Sequence, residues 1–171
     1  DMDGFMSKVS AIMLPPKTEK PIKEQGKRKM SKSLQNKTAL VTGASKGLGK
    51  ATALRLAAEG ASVIVNYSSD KAGAEAVVQQ IVKGGGKAHA QQGDLSRVAN
   101  IQKMFAELDK AGFSVIDILV NNAGVFPMGG VMDASEETFD KIFSLNVKGL
   151  FFTTQEAVKR MPKGGRVVNI S

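Results

Sequence analysis

From about residue 34 onward, short apolar runs alternate with stretches of helical spacing. Five runs read as strands: Thr38–Thr42, Ser62–Tyr67, Ala88–Gly93, Ile116–Asn121 and Arg166–Ile170. The clusters Val63-Ile64-Val65 and Ile116-Asp117-Ile118-Leu119-Val120 lack clean apolar–polar alternation, as strands covered on both faces do. The first helical stretch, about Leu48–Glu59, is expected to pack through Ala51, Leu54 and Ala58 and to stop at Gly60, a good residue just past a helix end. The second, about Asp70–Lys83, carries Ala74, Val77, Val78 and Ile81 on one face and runs out in Gly84-Gly85-Gly86. In the third, Ser96 reads as the N-cap and Val98, Ile101, Met104, Phe105 and Leu108 as the buried stripe. A fourth, roughly Ser135–Arg160, is interrupted near Asn146–Gly149 and stops before Pro162. Regular β-α-β alternation predicts an α/β fold: a doubly wound parallel sheet with right-handed crossovers and helices on both faces.

Composition narrows the chemistry. The 171 residues are 42% hydrophobic and 23% charged, with no cysteine and one histidine, His89. That excludes disulfides and thiolate metal sites, leaves no His-rich metal site, and makes no metal the expectation. No run of about 18 apolar residues exists, so no membrane span is predicted and the cytoplasm is the expected location. The formal charge of +8 is unevenly spread: residues 1–33 hold eight Lys/Arg against four Asp/Glu, the remaining 138 hold 16 against 12. Residues 1–33, with Pro15-Pro16, Pro21 and Lys27-Arg28-Lys29, therefore read as a basic, disordered N-terminal extension, with Met30 as the native start. Nucleic acid is not the expected partner, although a polyanion-binding tail is one alternative. Residues 34–171 read as one domain.

The most informative feature lies where the first strand gives way to the first helix. Gly43, Gly47 and Gly49 sit in that turn, where unpaired N–H groups and the positive end of a helix dipole attract phosphate. Gly43 lets the strand turn, Gly47 lets backbone approach a pyrophosphate, and Gly49 allows close helix–strand packing. The spacing differs from the generic G-x-G-x-x-G. A ligand held there lies at the carboxyl ends of the strands, near the switch point of a Rossmann-like sheet. At the end of the second strand, Asn66-Tyr67-Ser68-Ser69 offers no carboxylate before Asp70 to bind a ribose 2′-OH. Lys46, with Ser45, Ser68 and Ser69, suits a 2′-phosphate, which favours NADP over NAD; the alternative is that Lys46 is an exposed loop lysine without a ligand.

Thr42-Gly43-Ala44-Ser45-Lys46-Gly47-Leu48-Gly49 resembles the T-G-x-x-x-G-x-G loop of the short-chain dehydrogenase/reductase family. Gly93-Asp94-Leu95, Asn121-Asn122-Ala123-Gly124, Asn146 within Leu145–Gly149, and Gly165–Ser171 follow in the family's order, so the resemblance covers residues 34–171. Its nearest look-alikes are the 3-oxoacyl-carrier-protein reductase and glucose dehydrogenase branches. The resemblance implies an NAD(P)-dependent oxidoreductase that passes hydride between nicotinamide and a small-molecule carbonyl/alcohol pair, in a homo-dimer or homo-tetramer. It implies cofactor contacts from Gly43, Ser45, Lys46, Gly47, Leu48, Gly49, Tyr67, Ser68, Ser69, Asp94, Leu95, Asn121, Ala123 and Gly124. Asp94 would accept from the adenine amine, or else serve only as a carboxylate at a helix start. Asn121 would tie adjacent strands, and the Asn121–Gly124 turn would meet the cofactor ribose, or be a mere strand-end turn.

Asn146 falls on the same helical face as Phe139, Ile142, Phe143 and Leu150, which predicts a buried amide: a structural hub or a catalytic residue. By resemblance it organises a water leading to the catalytic lysine. The family's catalytic serine and Tyr-x-x-x-Lys pair have no match here. Tyr67, the only tyrosine, precedes Lys71 by four residues but stands at the adenosine end, and Ser171 reads as the neighbour of the working serine. The family's last two strands and catalytic helix likewise have no match here, so the chain is expected to carry the nucleotide-binding part and to be inactive alone. The alternative is a non-catalytic NADP(H)-binding or regulatory protein.

Overall fold

The computed structural model describes residues 33–126 and 130–171. All of the basic N-terminal stretch except Ser33 lies outside the described residues. In chain order the elements are β1 (Thr38–Val41), α1 (Gly47–Ala58), β2 (Ser62–Tyr67), α2 (Lys71–Lys83), β3 (Lys87–Gln92), α3 (Val98–Lys110) and β4 (Ile118–Asn121). A 3-10 turn at Val131–Asp133, α4 (Glu136–Phe143), a π-helical turn at Ser144–Gly149, α5 (Leu150–Val158) and β5 (Arg166–Asn169) follow. The five strands form one sheet, ordered β3-β2-β1-β4-β5, with every pair parallel.

Alternate residues of the central strands feed two apolar layers. Ala39 and Val41 of β1, with Val63 and Val65 of β2, pack against Ala53 of α1 and Ala74, Val77 and Ile81 of α2. Leu40 and Ile64 point the other way, to Ile101, Met104, Phe105 and Leu108 of α3 and Ala157 of α5. Each fully buried Leu, Ile or Phe contributes about 1.5–3 kcal/mol relative to exposure. Two-sided burial is the reason β1, β2 and β4 show no alternation in sequence.

Ion pairs fasten this framework at the amino-terminal edge of its strands, where Ile116 N also donates to Arg160 O at 3.2 Å. Asp117, just before β4, accepts from the Thr38 N–H and from Lys37 Nζ, each at 2.9 Å. Burial alone pushes the Asp117 carboxyl up, but these two donors outweigh it and hold it below the usual range. Arg160, past the end of α5, reaches Asp109 of α3 at 2.6 Å and Glu156 at 3.0 Å, with its guanidinium 5.0 Å from the Phe105 ring centre. Glu156 also binds Lys159 at 2.6 Å. Lys159 and Arg160 hold Glu156 below its ordinary range against the effect of burial, and Arg160 does the same for Asp109.

Three local expectations are corrected. The inward stripe of α1 is Gly49 and Ala53, with Leu54, Leu56 and Ala57 partly buried, whereas Ala51 and Ala58 are exposed. The close approach of Gly49 to the β1 turn sets that rotation. Ser96 is not the cap of α3: its own N–H donates to Asp94 Oδ1 at 3.0 Å, and Arg97 occupies the N-cap position without a side-chain cap. Finally, α4 buries none of its residues; Phe139 and Phe143 are 54% and 46% exposed, their rings stacked 4.1 Å apart.

Candidate functional site

Because the strands are parallel, all their carboxyl ends share one edge; from β1 the chain winds outward through β2 to β3, then crosses back to β4 on the other side of β1. The crevice at that reversal is a cleft of about 960 Å³. Its floor is the turn from β1 into α1. Gly43 and Gly47 both adopt positive φ, 60° and 57°, which L side chains resist. A Cβ on Gly47 would meet nothing within 4 Å, so this backbone is open to solvent. A Cβ on Gly49 would lie 2.5 Å from both Asn122 Nδ2 and Gly43 O. No side chain caps α1, and its first ladder bond is Lys50 N to Lys46 O. The Gly47, Leu48 and Gly49 N–H groups therefore precede the ladder, at the positive end of the helix dipole.

Two amides and one hydroxyl hold the loops around this turn. Thr42 Oγ1 accepts from the Asn122 and Ala123 N–H groups, each at 2.9 Å, and Asn122 Nδ2 donates to Thr42 O and Gly43 O at 2.9 and 3.1 Å. Asn66, at the end of β2 and 2% exposed, accepts from Gly43 N and donates to Gln91 O and Gly93 O. It thereby ties the loops after β1, β2 and β3. Neither amide was singled out from sequence. The available signal was a polar residue closing an apolar strand, a position where a buried amide must find partners.

Gly43, Ser45, Lys46, Tyr67, Ser68, Ser69, Asp94, Leu95, Ala123 and Gly124 all line the cleft. Tyr67 and Leu95 are mostly committed to the core, at 7% and 4% exposure. Gly47, Leu48 and Gly49 form the helix start beneath, and Leu48 points outward at 58% exposure. Asn121, the last residue of β4, is buried; its Nδ2 donates to Thr154 Oγ1 and Asn169 Oδ1, both 2.9 Å, across to α5 and β5. Asp94 keeps one oxygen clear of its bond to Ser96.

The wall opposite comes from α4 and the π turn. Glu137, Asp140, Lys141, Ser144, Leu145 and Lys148 face the cleft, a spacing of three and four that defines one helical stripe. With the polar stripe turned to the cleft, Phe139 and Phe143 are left on the opposite side, the physical reason they are not buried. Asn146 is half-buried on the π turn. Its Oδ1 accepts from Val125 N and its Nδ2 donates to Val125 O, both at 2.9 Å, so it clamps the strand-end loop through paired bonds. Gly149 brings the same turn against Leu95 O, where a Cβ would lie at 2.5 Å.

A family model described as short chain dehydrogenase matches residues 37–171, which hold every strand and helix described above. The chain belongs to the short-chain dehydrogenase/reductase family. Among the relatives of this short-chain dehydrogenase/reductase is an uncharacterized oxidoreductase of Methylorubrum extorquens, 46% identical over 142 residues, covering 83% of this chain and 56% of that protein. A trihydroxynaphthalene reductase of Colletotrichum orbiculare is 44% identical over 138 residues, covering 81% and 49%. The crystal structure of the landomycin C-6 ketoreductase LanV with bound NADP and rabelomycin superposes with a TM-score of 0.76 at 40% identity, covering 81% of this chain and 59% of that one. The chain spans about half the length of the curated relatives it matches.

Proposed function

We propose that this short-chain dehydrogenase/reductase binds NADP(H) across the switch point of its sheet and serves hydride exchange with a small-molecule carbonyl/alcohol pair. The observation that carries the reading is the uncapped, glycine-built start of α1 with Lys46 beside it and no free carboxylate at the end of β2. Asp70, the first acid there, accepts from Gly73 N at 3.0 Å as the cap of α2. A diphosphate suits the three unladdered N–H groups, and a 2′-phosphate suits Lys46, Ser45, Ser68 and Ser69. NAD is the less favoured cofactor. The LanV neighbour, solved with NADP, supports the same choice.

When bound, the cofactor supplies or accepts the hydride; the chain's own residues do the holding. Asp94 has an oxygen to spare for the adenine amine, and Leu95, Ala123 and Gly124 line the route toward the nicotinamide end. Asn146 keeps the Val125 loop in register with the π turn, and we assign it the role of ordering the proton-transfer side of the site. Tyr67 is no proton donor in this reading: it is buried at the adenosine end. The substrate class favoured is a carbonyl on a hydroxylated fused aromatic ring, on the strength of the trihydroxynaphthalene reductase relative. The named reductases among the relatives favour an enzyme over a non-catalytic nucleotide-binding protein.

The exposed stripe of Phe139, Phe143, Val147 and Phe151 supports a homo-dimer or homo-tetramer built on α4 and α5. Among the described residues no helix is long and apolar enough to cross a membrane, and we propose the cytoplasm as location. Residues 34–171 act as one nucleotide-binding domain. Calorimetric titration tests the cofactor assignment. NADPH is expected to bind and NADH to bind more weakly, with K46Q losing about tenfold for NADPH alone. No heat with either dinucleotide refutes the reading.

A further inference from the structure

We infer that Arg97 is a second cation for the 2′-phosphate of the dinucleotide, an inference that rests on the NADP reading above. The strand order β3-β2-β1 sets the loop after β2 between those after β1 and β3. Ser68 and Ser69, in that middle loop, line the cleft together with Lys46 from one neighbouring loop and Arg97 from the other. A phosphate held on the two hydroxyls is bracketed by an ammonium and a guanidinium, and the planar guanidinium suits two phosphate oxygens at once.

Charge on the strand-end side of the cleft favours that second cation. The same rim carries Asp70 and Asp94. Each gives one oxygen to a backbone N–H, of Gly73 and Ser96 respectively, but keeps its negative charge. Without Arg97, Lys46 is the one cation among the described residues on the strand-end side of the cleft against these two carboxylates; Lys141 and Lys148 lie on the helix wall, offset there by Glu137 and Asp140. Arg97 restores neutrality before the phosphate arrives. Among the described residues Arg97 makes no ion pair that would divert it.

Helix capping points the same way. The side chains of Asp70 and Ser135 cap α2 and α4. The helices on either side of the β2 loop differ: α1 starts on Lys46 and α3 on Arg97, each a cation in the N-cap position without a side-chain cap. A cation at a helix start opposes both capping preference and the helix dipole. Such a local violation occurs twice, on the two sides of one cleft, and an anion between the two starts reverses its sign.

The test titrates the 171-residue protein, as wild type, R97Q and R97K, with NADPH and NADH by nucleotide fluorescence. R97Q is expected to weaken NADPH about tenfold and to leave NADH within about twofold, with R97K recovering most of the loss. Raising salt shrinks the difference between wild type and R97Q, because the lost interaction is ionic. The thermal midpoint of R97Q stays level or rises, since a cation leaves a positive helix end. An unchanged NADPH-to-NADH ratio in R97Q, whether both affinities fall together or neither moves, overturns the role of Arg97 while the NADP reading stands. Wild-type protein that does not prefer NADPH overturns the NADP reading, and this inference with it.

Discussion

Adding one methyl group at Gly49 tests whether the start of α1 is braced by contact or merely tolerated. The Cβ of a Gly49→Ala variant falls 2.5 Å from Gly43 O, 2.5 Å from Asn122 Nδ2 and 3.0 Å from Ala44 Cα. Two of these atoms are backbone and the third is an amide already committed to Thr42 and Gly43. No flexible side-chain end is available to yield, so the helix start must back away from the turn by about half an ångström or more. Overpacking of this kind costs about 1–3 kcal/mol. Replacing a helical glycine by alanine returns about 0.8–1 kcal/mol. The net expectation is a loss of about 0–2 kcal/mol, a fall of a few degrees in Tm for a domain of this size. Nucleotide affinity should suffer more than stability, because the displaced N–H groups are the ones aimed at the diphosphate: about tenfold or more for NADPH. Denaturant unfolding with and without NADPH separates the two effects. A variant as stable as wild type that binds NADPH with unchanged Kd refutes the argument that contact at Gly49 positions the phosphate site.

Other outcomes follow from the same geometry. Asn146→Ala removes both bonds to Val125, so NADPH affinity should drop about tenfold with a smaller change in Tm; fluorescence titration beside thermal melting checks the split. Glu156 and Asp109 titrate below their ordinary values, so their contribution to stability is complete above about pH 5 and drains away as pH falls through about 4 and below. Urea midpoints across pH 3–7 should follow that direction, and E156Q, costing about 1–2 kcal/mol near neutrality, should flatten the acid limb. Phe143→Glu places a charge in the exposed stripe and should shift the protein toward monomer in sedimentation velocity while sparing nucleotide binding; an unaltered assembly excludes that stripe as the subunit contact.

Much of the fold was legible because two-sided burial leaves unbroken apolar runs such as Val63-Ile64-Val65, and glycines end the helices between them. That the strands run parallel followed from the alternation; their order did not. Periodicity names an apolar face without saying where it points, so Phe139 and Phe143 were expected inside although the polar stripe of α4 claims the cleft. The cap of α3 was misjudged for a related reason: Ser96 is a fit capping residue, but Asp94 takes its N–H two residues early. The glycine turn and Lys46 stand out in sequence because their chemistry is local. Asn66 and Asn122 do not, since their partners lie 23 to 80 residues away, and Arg97 acquires meaning only once the order of strands is known.

The latch of Thr42 and Asn122 ties the first crossover to a strand that emerges from the ribosome some 80 residues later. Until that strand docks, the phosphate turn exists as a sequence without a support, and segments ending before it should show no affinity for nucleotide. Occupancy of the cleft thus reports on long-range closure of the sheet centre, and a bound dinucleotide should slow hydrogen exchange there first, ahead of the outer strands.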